Sequence, residues 1–222
     1  MGKFLAPINH WNIIHAAPLV WTTNRPITTS YAGANHITGV NMRHDFDAIN
    51  GHSLEVYWQP ATEFDPKPSL ENILYYQSVV GANWIAHEDM DYYLGVSFQH
   101  ANIAQSDEVL NAISIDGNWK HRWFELDSEL LFAKVDTNQF RFHGQDWGGY
   151  VQMVVPLVKD FNLVSRYEHF EFANQAAATD TELGGIVYRP LSRLSFKVEW
   201  QQTQGSIWQN QTGLYSSIAV LF

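Results

Sequence analysis

Residues 214–222 alternate without a break, with Leu214, Ser216, Ile218, Val220 and Phe222 on one face and Tyr215, Ser217, Ala219 and Leu221 on the other. A period of two is the side-chain repeat of a β-strand, and here it delivers an aromatic ring to the last position. Rings are favoured where a strand meets a membrane surface, so this stretch reads as a strand of a transmembrane barrel.

The same alternation recurs upstream. Leu194, Phe196, Val198 and Trp200 oppose Ser195, Lys197, Glu199 and Gln201, and Tyr92, Leu94, Val96 and Phe98 oppose Tyr93, Gly95, Ser97 and Gln99. Leu54, Val56 and Trp58 alternate with Ser53, Glu55, Tyr57 and Gln59, and Phe124, Leu126, Ser128, Leu130 and Phe132 with Glu125, Asp127, Glu129 and Leu131. A tilted strand of about 9–11 residues crosses the hydrocarbon core, and these segments have that length.

Composition is consistent with this class. The chain is 45% hydrophobic with 9 Trp, 10 Tyr and 13 Phe, yet its mean hydropathy is -0.24. No apolar run approaches the roughly 18 residues that a membrane helix needs, which excludes a helical membrane protein. A net charge of -10 argues against a nucleic-acid partner, because phosphate binding requires a basic surface. The absence of Cys fits an oxidising compartment and many reducing ones equally, so it decides nothing.

The connections show an ordered rhythm. Short links at 189–192, 158–160, 119–122, 87–91 and 49–52 alternate with long ones at 203–210, 173–180, 136–146, 101–107 and 60–74, and 7–35 is the longest of all. Outer-membrane barrels have short periplasmic turns and longer external loops. The expected fold is therefore an all-β, antiparallel up-and-down transmembrane barrel, one domain over residues 1–222, with about twelve strands visible. The sequence enters a strand pattern near Phe4 with no secretory leader before it, from which we expect the C-terminal part of a larger barrel.

Gly2-Lys3-Phe4-Leu5-Ala6-Pro7, followed by Trp11-Asn12, Pro18-Leu19-Val20 and Asn24-Arg25-Pro26, resembles the strand and long loop of porins similar to the phosphate-selective porin family of Gram-negative outer membranes. Gly185-Ile186-Val187-Tyr188-Arg189-Pro190 and Lys197-Val198-Glu199-Trp200 are similar to the last hairpin of those barrels, and Phe222 matches their terminal signature. The resemblance covers most of the chain through short motifs. It implies a passive diffusion channel in the cell outer membrane, with no enzymatic activity and no cofactor. As partners it implies membrane lipid, the barrel-assembly machinery reading the C-terminal strand, and a homotrimer.

Substrate does not follow from the family. The polar faces carry Glu55, Asp116, Glu125, Asp127, Glu129, Glu168 and Glu199 against Arg43, Lys120, Arg166 and Lys197. An acidic lumen favours cations, which points to a weak cation preference and away from phosphate. The other reading places some of these carboxylates at solvated rims. Tyr57 joins the lumen-facing set, whereas Trp58, Tyr92, Trp119, Trp123, Tyr167, Trp200 and Phe222 fall where interfacial girdles belong. Arg166 must face inward, because the opposite phase would put it in lipid at roughly 2–4 kcal/mol.

The segment 7–35 is too long and too aromatic for an ordinary connection. It is expected to enter the lumen and set Arg25 across a water-filled gap from Glu125, Asp127 and Glu129; the competing reading is an external cap. The histidines, His10, His15 and His143 included, form no ligand cluster of recognised spacing, so no metal site is expected, and no catalytic set is evident. A closed or plugged barrel with a structural or enzymatic role is the alternative function. A soluble barrel around an apolar ligand ranks last, because it would turn the faces inside out.

Overall fold

The computed structural model describes residues 1–14, 17–31, 33–46, 51–61, 76–88, 91–103, 108–135, 144–173, 178–205 and 212–221. Within them lie twelve strands and two short helices, in the order β1 (Gly2–Leu5), α1 (His10–Ile13), α2 (Ile27–Tyr31), β2 (His36–Asp45), β3 (Ser53–Gln59), β4 (Tyr76–Glu88), β5 (Tyr92–Ile103), β6 (Val109–His121), β7 (Phe124–Val135), β8 (Gly144–Val158), β9 (Phe161–Glu171), β10 (Thr179–Leu191), β11 (Leu194–Gln204) and β12 (Gly213–Val220). Each strand pairs with its neighbour in sequence, giving one up-and-down sheet ordered β1 to β12. Among the described residues β1 and β12 are the two ends of that order, and no ladder joins them.

Alternation decides what each face carries. On β11 Ser195, Lys197, Glu199, Gln201 and Thr203 are buried, while Phe196, Val198 and Trp200 are exposed. On β9 Arg166 and Glu168 are buried and Leu163 and Tyr167 exposed, so Arg166 does face inward. The outer face presents Val56, Val80, Ile113, Ile115, Leu130, Phe132, Val151, Val198, Ile218 and more, far beyond the apolar patch that a monomer leaves in water. A polar inside and an apolar outside is the inversion that lipid demands, and the soluble reading fails on it.

The turns on one end are tight. Residues 122–123, 159–160 and 192–193 each link two long strands, and Asp160 adopts φ 65°, a left-handed conformation that Asp tolerates in two-residue hairpins. One glycine position is decided by a close approach. Tyr57 of β3 is paired with Gly81 of β4, where an added Cβ would lie 2.2 Å from the Tyr57 ring, so the ring folds over the gap that Gly81 leaves.

The segment between β1 and β2 contains α1 and α2, each about one turn long and bonded to the sheet through His10 and Thr28.

Candidate functional site

Ala6 N–H donates to the Asn35 carbonyl at 2.9 Å, so the segment leaves and rejoins the sheet at one neck. Asn12 closes that neck: its Nδ2 donates to the carbonyls of Ala6 at 2.8 Å and Asn35 at 3.0 Å. Asn9 caps α1, its side chain accepting from Asn12 N–H at 2.7 Å. Ile8, Asn9 and Asn12 are fully buried. This backbone is irregular, so its polar groups need partners from elsewhere.

Carboxylates and an amide of the sheet accept from it. His10 N–H donates to Asp116 at 3.0 Å, and Thr28 N–H to Glu168 at 3.2 Å. Glu199 takes Thr23 N–H on both oxygens, at 3.1 and 3.0 Å, and Asn24 N–H at 3.2 Å. Glu129 accepts from Asn9 Nδ2 at 3.1 Å and Thr29 Oγ1 at 3.0 Å, while Glu125 accepts from Trp21 Nε1 at 3.1 Å. Gln99 clamps the far end like a neighbouring strand, accepting from Ala34 N–H at 2.6 Å and donating to the Ala34 carbonyl at 3.2 Å. Gly33, with φ +134°, allows that approach, because a Cβ there would lie 2.1 Å from Gln99 Oε1.

Cations of the sheet serve the segment's carbonyls. Arg166 Nη1 donates to Thr22 Oγ1 and the Asn24 carbonyl, both at 3.0 Å. Lys197 Nζ reaches the carbonyls of Ala17 at 2.8 Å and Thr22 at 3.1 Å. Arg189 Nη2 reaches Leu19 at 3.0 Å and Val20 at 2.8 Å, with its guanidinium 3.5 Å from the centre of the Trp21 ring. Charges held this deep are costly unless hydrogen-bonded, and the segment supplies those bonds.

Of the carboxylates expected opposite Arg25, Glu129 lies near enough for their charges to interact. Arg25 also donates to Asn12 Oδ1 and sits 5.6 Å from the Trp11 ring centre. Glu125 and Asp127 share Asn118 as a donor, and Asp127 also accepts from Gln152 at 3.2 Å. Arg43 is exposed and pairs with Asp45 at 2.8 Å, Glu55 accepts from Asn41, and the Tyr57 hydroxyl accepts from Gln99 at 3.0 Å. On the outer face Trp58, Tyr92, Trp119, Trp123, Tyr167 and Trp200 are all exposed, as are Trp84 and Trp147, which the sequence reading left out. Phe222, His15 and His143 lie outside the described residues.

The sequence reading put Gln99 and Gln201 on the polar faces without giving them a role, and it missed Asn9, Gln152 and Arg189. The period-two rule carries Gln152 inward beside Tyr150, which is the signal that would have found it. On the outer rim His169 Nδ1 lies 2.8 Å from Asp180, which also accepts from the Tyr167 hydroxyl at 2.8 Å. Ser165 is on the same strand face as His169 but four residues away, about 13 Å at strand rise, so it forms no nucleophile–base pair with that histidine. Among the described residues no group of three or more His, Asp or Glu is placed to hold a metal.

Replacing Gln99 by Ala leaves Ala34 N–H without its acceptor. Hydrogen exchange at residues 33–35 should then accelerate by an amount equivalent to roughly 1–3 kcal/mol of lost protection. Unchanged exchange would mean that Gln99 does not anchor the segment.

No family model matches the sequence, and neither does any curated protein. Solved structures do. The loop L8 deletion mutant of OmpT, an outer membrane protein of Vibrio cholerae, aligns with TM-score 0.68 at 10% identity over 98% of this chain and 72% of its own. An anion-selective porin from Comamonas acidovorans aligns with TM-score 0.68 at 10% identity over 99% of this chain and 68% of that one. The outer membrane channel DcaP of Acinetobacter baumannii gives TM-score 0.61 at 8% identity over 98% and 68%. At such identities the likeness is one of fold: the chain has the up-and-down transmembrane β-barrel architecture of outer-membrane porins.

Proposed function

We propose that this protein is a porin-like channel of a Gram-negative outer membrane, through which small hydrophilic solutes or ions diffuse passively. One observation carries the reading: a sheet with a lipid-compatible exterior holds a 30-residue segment, 6–35, on its polar inner face by hydrogen bonds to β5, β6, β7, β9, β10, β11 and β12. A segment so placed narrows a channel. The exposed tryptophans and tyrosines of the outer face suit the headgroup level, and the role is not enzymatic. Membrane lipid and the barrel-assembly machinery are the proposed partners. A homotrimer is supported by the trimer form of OmpT, aligned at TM-score 0.63 and 10% identity.

A weak cation preference is the selectivity proposed. Arg166, Arg189 and Lys197 are turned to main-chain carbonyls, while Glu125 and Asp127 stay partly exposed. The same arrangement speaks against phosphate selectivity. A plugged barrel is the second reading, favoured by the complete burial of Ile8, Asn9 and Asn12. Reconstitution in a planar bilayer under a KCl gradient should give discrete current steps with a reversal potential on the K⁺ side. A reversal potential on the Cl⁻ side would refute the selectivity, and silence would favour the plug.

A further inference from the structure

Between the segment and β6, β7 and β8 lies a cavity of about 380 Å³, within the range that holds small molecules. Its lining falls into three kinds of surface. Trp11, Ile14, Leu19, Val20 and Trp21 form an apolar and aromatic side contributed by the segment. Asp116, Glu125 and Asp127, with Tyr150 and Gln152, form an acceptor side contributed by the sheet. Lys120 and Arg189 supply positive charge.

The cations are not equivalent. Arg189 is bound to two carbonyls and stacked on Trp21, so it works as a strut of the wall. Lys120 is exposed, is paired in register with Glu125, and is near enough to Asp127 to interact with it. It is the resident counter-ion, on a flexible stem that can swing away. The acceptors are under-used. Asp127 receives one bond on each oxygen, from Asn118 and Gln152, where a carboxylate has room for about four. Gln152 is 1% exposed; its Nε2 is held by Asp127, which fixes the amide's orientation, and its Oε1 has no hydrogen-bond partner. An acceptor left over in a buried wall calls for a donor.

We propose that this cavity binds small organic cations with N–H donors, a primary ammonium or guanidinium group on a short apolar body. The cationic head replaces the Lys120 ammonium at Glu125 and Asp127, and the body lies along Trp11, Leu19 and Trp21. This inference rests on the channel reading, since solute must reach the inner face, and it names the class of solute held on the way.

Agmatine is a suitable probe, carrying both head groups on a four-carbon chain. Titrated into the protein in detergent, it should change the tryptophan fluorescence saturably, because Trp11 and Trp21 line the site. D127N should weaken binding roughly tenfold, the scale of one charge-assisted bond, and K120Q should strengthen it. Opposite shifts from two neighbouring residues are not what mere loosening of the wall produces, and the exposed Lys120 can be replaced without disturbing the fold. An equal response to NaCl at matched ionic strength, a response to propionate in place of agmatine, or K120Q weakening binding would each overturn the proposal. Bilayer conductance separates it from the channel reading. A protein that conducts but ignores agmatine loses the site and keeps the channel, and one that binds agmatine without conducting keeps the site and loses the channel.

Discussion

Excising residues 8–34 and joining Pro7 to Asn35 through a short Gly-Ser linker should raise single-channel conductance several-fold. The ends are already adjacent: Leu5 pairs with His36, and Ala6 N–H bonds the Asn35 carbonyl at 2.9 Å, so the linker has only to close a hairpin. The sheet should survive the cut. Its twelve strands are held by ladders between sequence neighbours, and water entering the lumen can solvate Glu129, Glu168, Glu199, Arg166 and Lys197 once the segment is gone. Ion flow follows the cross-section of the narrowest water-filled region, which is where the proposed channel reading puts the segment. Conductance and reversal potential that stay the same after excision would place the segment outside the conduction path.

The second large effect concerns the outer face. Ile115, at the centre of β6 and 42% exposed, should tolerate Arg poorly: in phospholipid vesicles the I115R protein is expected to lose about 2–4 kcal/mol of unfolding free energy. Gln145, outward near the loop end of β8, is the control, with Q145R costing about 0–1 kcal/mol because the side chain reaches water. Denaturant titration of both variants measures the contrast. Equal losses would mean that Ile115 does not lie in hydrocarbon.

Much of the architecture was legible because one rule governs it. Once Phe196, Val198 and Trp200 are set against Lys197 and Glu199, the strand, its two faces and the medium on each side follow from a period of two. The rhythm of short and long links then orders the strands. The interior segment obeys no such rule. The helices α1 and α2 are four and five residues long, too short for a 3.6-residue repeat to register, and they exist because Asn9, Glu129 and Glu168 hold them. Arg25 is instructive. Its charge suggests a carboxylate neighbour, and Glu129 is one, but the residue also donates to Asn12 and lies against Trp11 of its own segment, local contacts that composition does not encode. Glu199 was identified as lumen-facing, yet its use as an acceptor for two backbone N–H groups depends on a contact spanning 175 residues or more.

That separation has a consequence for how the molecule assembles. Every ladder in the sheet joins neighbours, so the strands can form by short loop closures in sequence order. The interior segment is different: its bonds reach Gln99 at a separation of 65 residues, Asp116 at 106, Glu199 at 176 and Ser217 at 194. A stretch made among the first is therefore locked among the last, when β11 and β12 bring Glu199 and Ser217 into place. Until that moment the nascent sheet carries a segment without its full set of anchors, and the segment acquires its final position only when the last two strands arrive.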